Sequence, residues 1–351
     1  MGTYIIYNTI LIFSVLFAYL SEYSKTKLSR LISRLFLFMV LFIPSAIRYN
    51  IGTDYRSYID DFYSLYGGDV NEVGFQALIV FLRYFDLPAH SLFICSAFLV
   101  QFPLLFLSKK NYSWKIMLYI LLLYLQSFSA VRNMISLSFV ILLFDLLFQG
   151  KNLTALVVYP ISLLFHISSF IFLPFFFLNK LQYNKIVFLV ISLFVLCISY
   201  FDVVFVILNN NLFFETRYAK YLFGKFSSEP TFNTGYGMLL KILYTTVIFV
   251  YFVFYKNKNY SICYLFLFYL ISLILATKVV IIARLVDVLS VSLIFAIPLC
   301  LASWCSKYKI IFRYLTILFY LVLFELFIKT NDGNSITGDH GIYPYQTILQ
   351  K

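Results

Sequence analysis

Charge is scarce in this chain. Asp, Glu, Lys and Arg make up 12% of its 351 residues, against about 25% in a soluble globular domain. Hydrophobic residues make up 62%. The deficit runs along the whole length, so one anchor or one leader does not account for it. The first apolar run has no small-residue cleavage site after it and many more runs follow, so it is expected to be retained. A soluble enzyme and a nucleic-acid binder are excluded. The net charge of +12 is read as the basic excess of cytoplasmic loops.

Other absences narrow the field. No phosphate loop, HExxH or GxGxxG occurs, so nothing points to a nucleotide-driven pump. The five cysteines lie in or beside apolar runs, are odd in number and form no CxxC pair. Packing is their expected role, rather than a disulfide or zinc site. No internal repeat stands out, which disfavours many transporter families.

What is present is an all-α polytopic pattern, a single transmembrane domain over 1–351. A span needs about 20 mostly apolar residues, and the runs give about twelve spans (10–13). The first run, 4–20, is followed by Lys25, Lys27, Arg30 and Arg34. The positive-inside rule puts that loop in the cytoplasm and the end of the second run, 35–47, outside. The stretch 49–90 is then an outer loop, and its short apolar part, 74–85, is expected as an interfacial helix. Runs 91–107, 114–128 and 134–148 follow, with Arg132 at an outer turn.

The run 153–178 exceeds one span and holds Pro160, His166 and Pro174. A hairpin or broken span turning near His166 keeps Lys180, Lys185 and the later basic loops inside, whereas one tilted crossing puts them outside. The hairpin is the expectation. The remaining runs are 186–205, 238–255, 262–277, 285–304 and 311–328. The loop 209–236, with Glu215, Arg217, Lys220 and Lys225, is expected outside, as is the polar tail 329–351. The 42 Phe and 30 Tyr are read as lipid-facing bulk and interface belts.

The sharpest change from apolar to polar is Arg48-Tyr49-Asn50-Ile51-Gly52-Thr53-Asp54-Tyr55-Arg56-Ser57-Tyr58. Arg48, Arg132 and Arg284 each start or end a span on the side where basic residues are disfavoured. Ionisable groups there pair or bind something. Fixed guanidinium forks suit a diphosphate. The alternative is structural pairing with Asp54 and Asp287. His166 either bonds a neighbouring carbonyl at a turn, donates to phosphate, or accepts a proton. Asp54 either acts as a base or positions Arg48. Gly52 permits a sharp turn, and Tyr58 shares a face with Asp54 if the segment is helical. Asp145 is the chief polar residue of the inner half.

The stretch RYNIGTDYRSY resembles the signature of the EpsG family of bacterial exopolysaccharide proteins, which are Wzy-like polymerases. Arg132 opening a helix after a polar turn, His166-Ile167-Ser168 in an apolar run, and Arg284 before a span are similar to that family's later elements, in the same order. The closing Tyr343-Pro344-Tyr345-Gln346 fits only loosely and carries no weight. The resemblance implies a GT-C-like glycan polymerase in the bacterial plasma membrane, its active site facing outside. It would join undecaprenyl-diphosphate-linked oligosaccharide repeat units into exopolysaccharide, capsule or O-antigen. Arg48, Asp54 and His166 would be catalytic, with the base from Asp54 or His166. Arg48, Tyr58, Arg132, Arg217 and Arg284 would bind diphosphate and glycan. No metal or other cofactor is implied. Membrane lipid surrounds the chain, a chain-length regulator would be a further partner, and nucleic acid would not. The rivals are an O-antigen-type ligase and a transporter or flippase of lipid-linked glycan. The ligase is disfavoured because the loop 209–236 has no histidine. The transporter is disfavoured because the polar residues gather on one side.

Overall fold

The computed structural model describes residues 2–64, 72–178, 184–200, 236–254, 260–277, 282–303, 306–331 and 341–350. Among them the structure is helical, and the one pairing of extended chain is an isolated bridge between Arg48 and Thr347. The helices gather into two compact units. One holds residues 1–171 and 306–351, the other 172–305.

The first unit begins with α1 (Gly2–Tyr23) and α2 (Lys27–Ile47), packed on each other. Thr26 starts α2, its hydroxyl accepting from the Ser29 N–H at 3.1 Å, as N-cap threonines do. Pro44 sits inside α2. One turn away, the Tyr124 and Ser45 hydroxyls both donate to the Leu41 carbonyl, at 2.9 Å each. Two short helices follow, α3 (Tyr55–Tyr63) and α4 (Val73–Tyr84), then α5 (His90–Gln101) and α6 (Tyr112–Tyr119). The unit continues with α7 (Val131–Phe148) and α8 (Asn152–Phe165), and closes with α15 (Ser306–Thr330). α7 is its centre, buried along most of its length, whereas α15 presents most of its surface outward.

Helices in lipid gain little from burying apolar surface against each other, so polar ties have more to do. A tie sits at one end of α7. Asp145 is 1% exposed and pairs with Lys115. It also accepts from the Ser108 N–H and hydroxyl, the latter at 2.8 Å, and from Gln149 Nε2 at 2.8 Å. Arg34, two turns into α2, donates to the Leu105 and Leu107 carbonyls beside it. Breaking one side of such a pair costs about 3–5 kcal/mol, so Asp145 is a structural residue here. The other ends of the same helices meet too. Arg48, just past α2, donates to the Ser127 carbonyl just before α7 at 3.2 Å. α2 and α7 therefore run antiparallel, with two polar layers about 20 Å apart at 1.5 Å per residue.

The second unit comprises α9 (Phe175–Leu178), α10 (Lys185–Tyr200), α11 (Tyr236–Phe254), α12 (Tyr260–Leu275), α13 (Ile282–Leu289) and α14 (Val291–Ser303). α12 is its hub, packed by the other five and buried along most of its length, from Cys263 and Phe266 to Leu270 and Leu273.

Four described helices are long and apolar enough to cross a membrane: Gly2–Tyr23, Lys27–Ile47, Val131–Phe148 and Tyr308–Thr330. A fifth results if Ile282–Leu289 and Val291–Ala302, bent by 46°, count as one. Seven shorter apolar helices of 10–17 residues fall in the other runs, the run 114–128 excepted. Two of the expected spans are not single α-helices. The run 91–107 is α5 followed by a 3-10 turn, Phe102–Phe106. The run 114–128 passes from α6 into a π turn, Ile120–Tyr124, and a 3-10 turn, Leu125–Phe128. Hydropathy registers apolarity, and does not register such changes of helix type. The expected short helix over 74–85 is α4. The run 153–178 does break at His166, whose backbone is extended (φ −160°, ψ 129°), before a 3-10 segment, Ile167–Phe172. The Tyr159 hydroxyl donates to the Ser169 carbonyl at 3.3 Å. In a continuing helix those residues would lie about 15 Å apart along the axis, so the chain folds back there.

Candidate active site

The opening motif leaves α2 as a tight turn. Asn50 and Gly52 both have positive φ, 53° and 103°. At Gly52 a side chain is sterically impossible without movement, since a Cβ would stand 1.9 Å from the Phe128 carbonyl oxygen. The turn is pinned by the Thr53 N–H donating to Ser129 Oγ at 3.2 Å. Beyond it Asp54 takes the N-cap position of α3, without a side-chain cap bond. Its backbone carbonyl accepts from the Tyr58 N–H at 3.0 Å, so the two share the first turn of a helix, as the spacing predicts.

This geometry buries Arg48. It is 3% exposed, and its guanidinium lies over the rings of Phe128 at 4.9 Å and Phe93 at 5.2 Å. Tyr58, Tyr55, Tyr124 and Tyr7 stand within electrostatic reach. Among the described residues no carboxylate pairs with it, and its Nε–H finds no acceptor. The expected alternative of an Arg48–Asp54 ion pair is therefore corrected. The motif turns Asp54 outward, where it is exposed and accepts from the Thr53 hydroxyl at 3.2 Å.

Tyr58 links Arg48 to the second arginine. It is 2% exposed and lies within electrostatic reach of both arginines, hydrogen-bonded to Arg132. The Arg132 guanidinium stands 5.7 Å from the Tyr58 ring centroid and 5.8 Å from that of Phe75. Burial, then the Asp54 charge, push the Tyr58 hydroxyl up to about 12, against the opposing pull of Arg132. It is a neutral donor at working pH.

Arg132 holds the second position of α7, and its Nη1 donates to Glu72 Oε2 at 2.8 Å. The other oxygen of that carboxylate, Oε1, lies 2.9 Å from His166 Nδ1. A close helix approach makes this possible. Gly74 sits so near α8 that a Cβ there would meet the Leu164 carbonyl oxygen at 2.8 Å. The N-terminus of α4, carrying Glu72, therefore reaches the C-terminus of α8, carrying His166. The bond from His166, with Arg132 adding, holds the Glu72 carboxyl below its ordinary 4.5. His166 thus does not spend its ring on a neighbouring carbonyl, as a turn histidine would. Its own backbone carbonyl takes the Ser169 N–H and hydroxyl instead. Ser168 donates to Asn133 Oδ1 at 3.0 Å, tying this turn to α7.

The arrangement is one of two guanidinium groups with a phenol between them, and a histidine joined to one of them through a carboxylate. That is a set for holding anionic oxygen and moving one proton. A family model for the EpsG family matches residues 30–347, nearly the whole chain. The chain belongs to the EpsG family. This is the Wzy-like polymerase family, and membership points to a polymerase-type role in exopolysaccharide or O-antigen synthesis. No curated protein and no solved structure matches the chain.

For this EpsG chain the site residues divide by place. Arg48, Asp54, Tyr58, Arg132 and His166 all belong to the first unit and gather at one end of α2 and α7. Arg284 lies on α13 of the second unit, where it is exposed. Arg217 and nearly all of the loop 209–236 lie outside the described residues, as does Lys180.

Two contributors to the EpsG site carry no clear signal in the sequence. Glu72 is one acid among several in an acidic loop. The tail is the other. Residues 341–350 return to the opening motif, with the Tyr49 N–H donating to the Gln346 carbonyl at 3.0 Å and the Gly52 N–H to the Gly341 carbonyl at 3.3 Å. The Tyr7 hydroxyl donates to the Ile342 carbonyl at 2.7 Å, and the Tyr345 hydroxyl to the Pro44 carbonyl at 2.8 Å. The weakly matching PYQ element is thus part of the wall around Arg48.

Proposed function

We propose that this chain polymerises undecaprenyl-diphosphate-linked oligosaccharide repeat units on the outer face of the bacterial plasma membrane. The growing glycan passes from its lipid diphosphate to a hydroxyl of the next lipid-linked unit. The bond from the anomeric carbon to the diphosphate oxygen breaks, and a new bond to the acceptor oxygen forms. The leaving lipid diphosphate gathers negative charge, which fixed cations in a dry site stabilise without reorganisation. Arg48 and Arg132 take that role, with Tyr58 as a neutral donor between them and Arg217 and Arg284 as further contacts to diphosphate or glycan. The acceptor proton goes to Asp54 or His166. The architecture is of the GT-C-like kind with about twelve crossings, and a chain-length regulator is a partner.

The observation that carries this reading is the Arg48 guanidinium, buried among rings with no carboxylate partner among the described residues. A cation kept there at such desolvation cost has a use for an anion. Arg132→Ala tests the reading in cells. The expected result is membrane-inserted protein, single lipid-linked repeats that persist, and no polymer ladder on glycan gels. A ladder of wild-type length from inserted Arg132→Ala removes Arg132 from the site.

A further inference from the structure

Two acidic or basic groups compete for the acceptor proton in the proposed reaction, and the geometry separates them. We infer that His166 is the base, through Nε2, and that Glu72 is its positioning residue. This rests on the polymerase reading and names the proton path within it.

The two ring nitrogens of His166 are not equivalent. Glu72 Oε1 faces His166 Nδ1 at 2.9 Å. Its second oxygen is taken by Arg132, a permanent cation, so the carboxylate stays ionised and can only accept. Nδ1 therefore carries the proton, and the lone pair of the neutral ring is at Nε2. A carboxylate that fixes a histidine tautomer in this way also stabilises the imidazolium formed later. Among the described residues Nε2 has no protein partner. His166 is 30% exposed and Glu72 14%, so part of the ring remains accessible while its carboxylate is mostly buried.

Position supports the same assignment. His166 and Arg132 share one carboxylate, so they are no farther apart than its width and two hydrogen bonds. A hydroxyl attacking an anomeric carbon and the oxygen leaving from it are separated by roughly 5 Å at the point of attack. A base and a cation held by the two oxygens of Glu72 are near enough to flank both reacting oxygens. Asp54 lacks these features. It is exposed, sits at the N-cap of α3, and carries its hydrogen bond from Thr53. The charged and titratable groups around the dyad are Glu72 on the α4 side and Arg132 on α7, with Tyr58 and Asp61 of α3 facing Arg132. Asn133 and Ser168 beside them are neutral.

The acceptor hydroxyl gives its proton to Nε2 as its oxygen bonds the anomeric carbon. The electron pair of the breaking bond leaves with the lipid diphosphate, beside Arg132. The imidazolium, paired with Glu72, later releases the proton to solvent or to the departing diphosphate.

The test uses the full chain in proteoliposomes, with lipid-linked repeats extracted from cells that lack it. His166→Ala is expected to lower kcat about 100-fold or more, leave KM for the lipid-linked donor within about twofold, and recover in part when imidazole is added. His166→Asn keeps a donor to Glu72 while removing the base, so it guards against simple loss of the loop and should be as slow. Glu72→Asp, which still accepts from Nδ1, should retain more activity than Glu72→Gln. Turnover within about fivefold of wild type in either histidine variant overturns the assignment. A loss in His166→Ala that raises donor KM and that imidazole does not repair overturns it too. Arg48→Ala run alongside separates the two layers. If it is inactive while His166→Ala is active, only the base is wrong; if it is active, the polymerase site itself is.

Discussion

Arg48→Ala is expected to abolish polymer while single lipid-linked repeats accumulate. The substitution takes away the cation that the surrounding fold does least to satisfy. Its Nη1 bond goes to a neutral carbonyl, its Nε–H has no acceptor among the described residues, and its face rests on Phe93 and Phe128. Removing it strands no carboxylate, so the protein should still insert. A donor lost from a site that stabilises developing negative charge costs about 100- to 1000-fold in rate, and here it is a full charge. Arg48→Lys should recover little, because a point charge lacks the fork that spans two phosphate oxygens. Glycan gels with matched membrane levels decide it, and normal ladders from Arg48→Ala would remove the arginine from the chemistry.

Gly52→Ala should be nearly as damaging for a different reason. The methyl group would stand 1.9 Å from the Phe128 carbonyl oxygen, on a backbone with φ of 103°. Strained conformations of this kind cost roughly 1–3 kcal/mol before any clash, and the Phe128 carbonyl is backbone that cannot turn aside. The loop has to shift. It takes with it the Thr53–Ser129 bond and the tie to Gly341, which together hold the turn carrying Arg48. The expected result is a lower melting temperature in detergent together with loss of the ladder. Wild-type behaviour in both would show that the turn is not as tight as its contacts imply.

Much of the site is legible in one stretch of sequence because it is local. Arg48, Gly52, Asp54 and Tyr58 fall within a single turn and the start of α3, and the abrupt gain of polarity marks them. Arg132 and His166 are also legible, since each interrupts an apolar run. Their meeting is not, because it goes through Glu72. An acid in an acidic loop looks like a solvated one until α4 and α8 close on each other at Gly74. The tail is hidden for a similar reason. Its bonds to Tyr49 and Gly52 are made by backbone groups, which any sequence carries. Asp145 is the reverse case, conspicuous as a buried acid yet fully occupied by Lys115, Ser108 and Gln149. The build of the spans is the least legible feature, because two apolar runs of sufficient length are made here from short helices continued by π and 3-10 turns.

The most direct measurement reconstitutes this chain alone in vesicles with extracted lipid-linked repeats and no nucleotide. The account predicts a growing glycan ladder, with one lipid diphosphate released per bond formed. Repeats that stay single, or that only cross the bilayer, would contradict it.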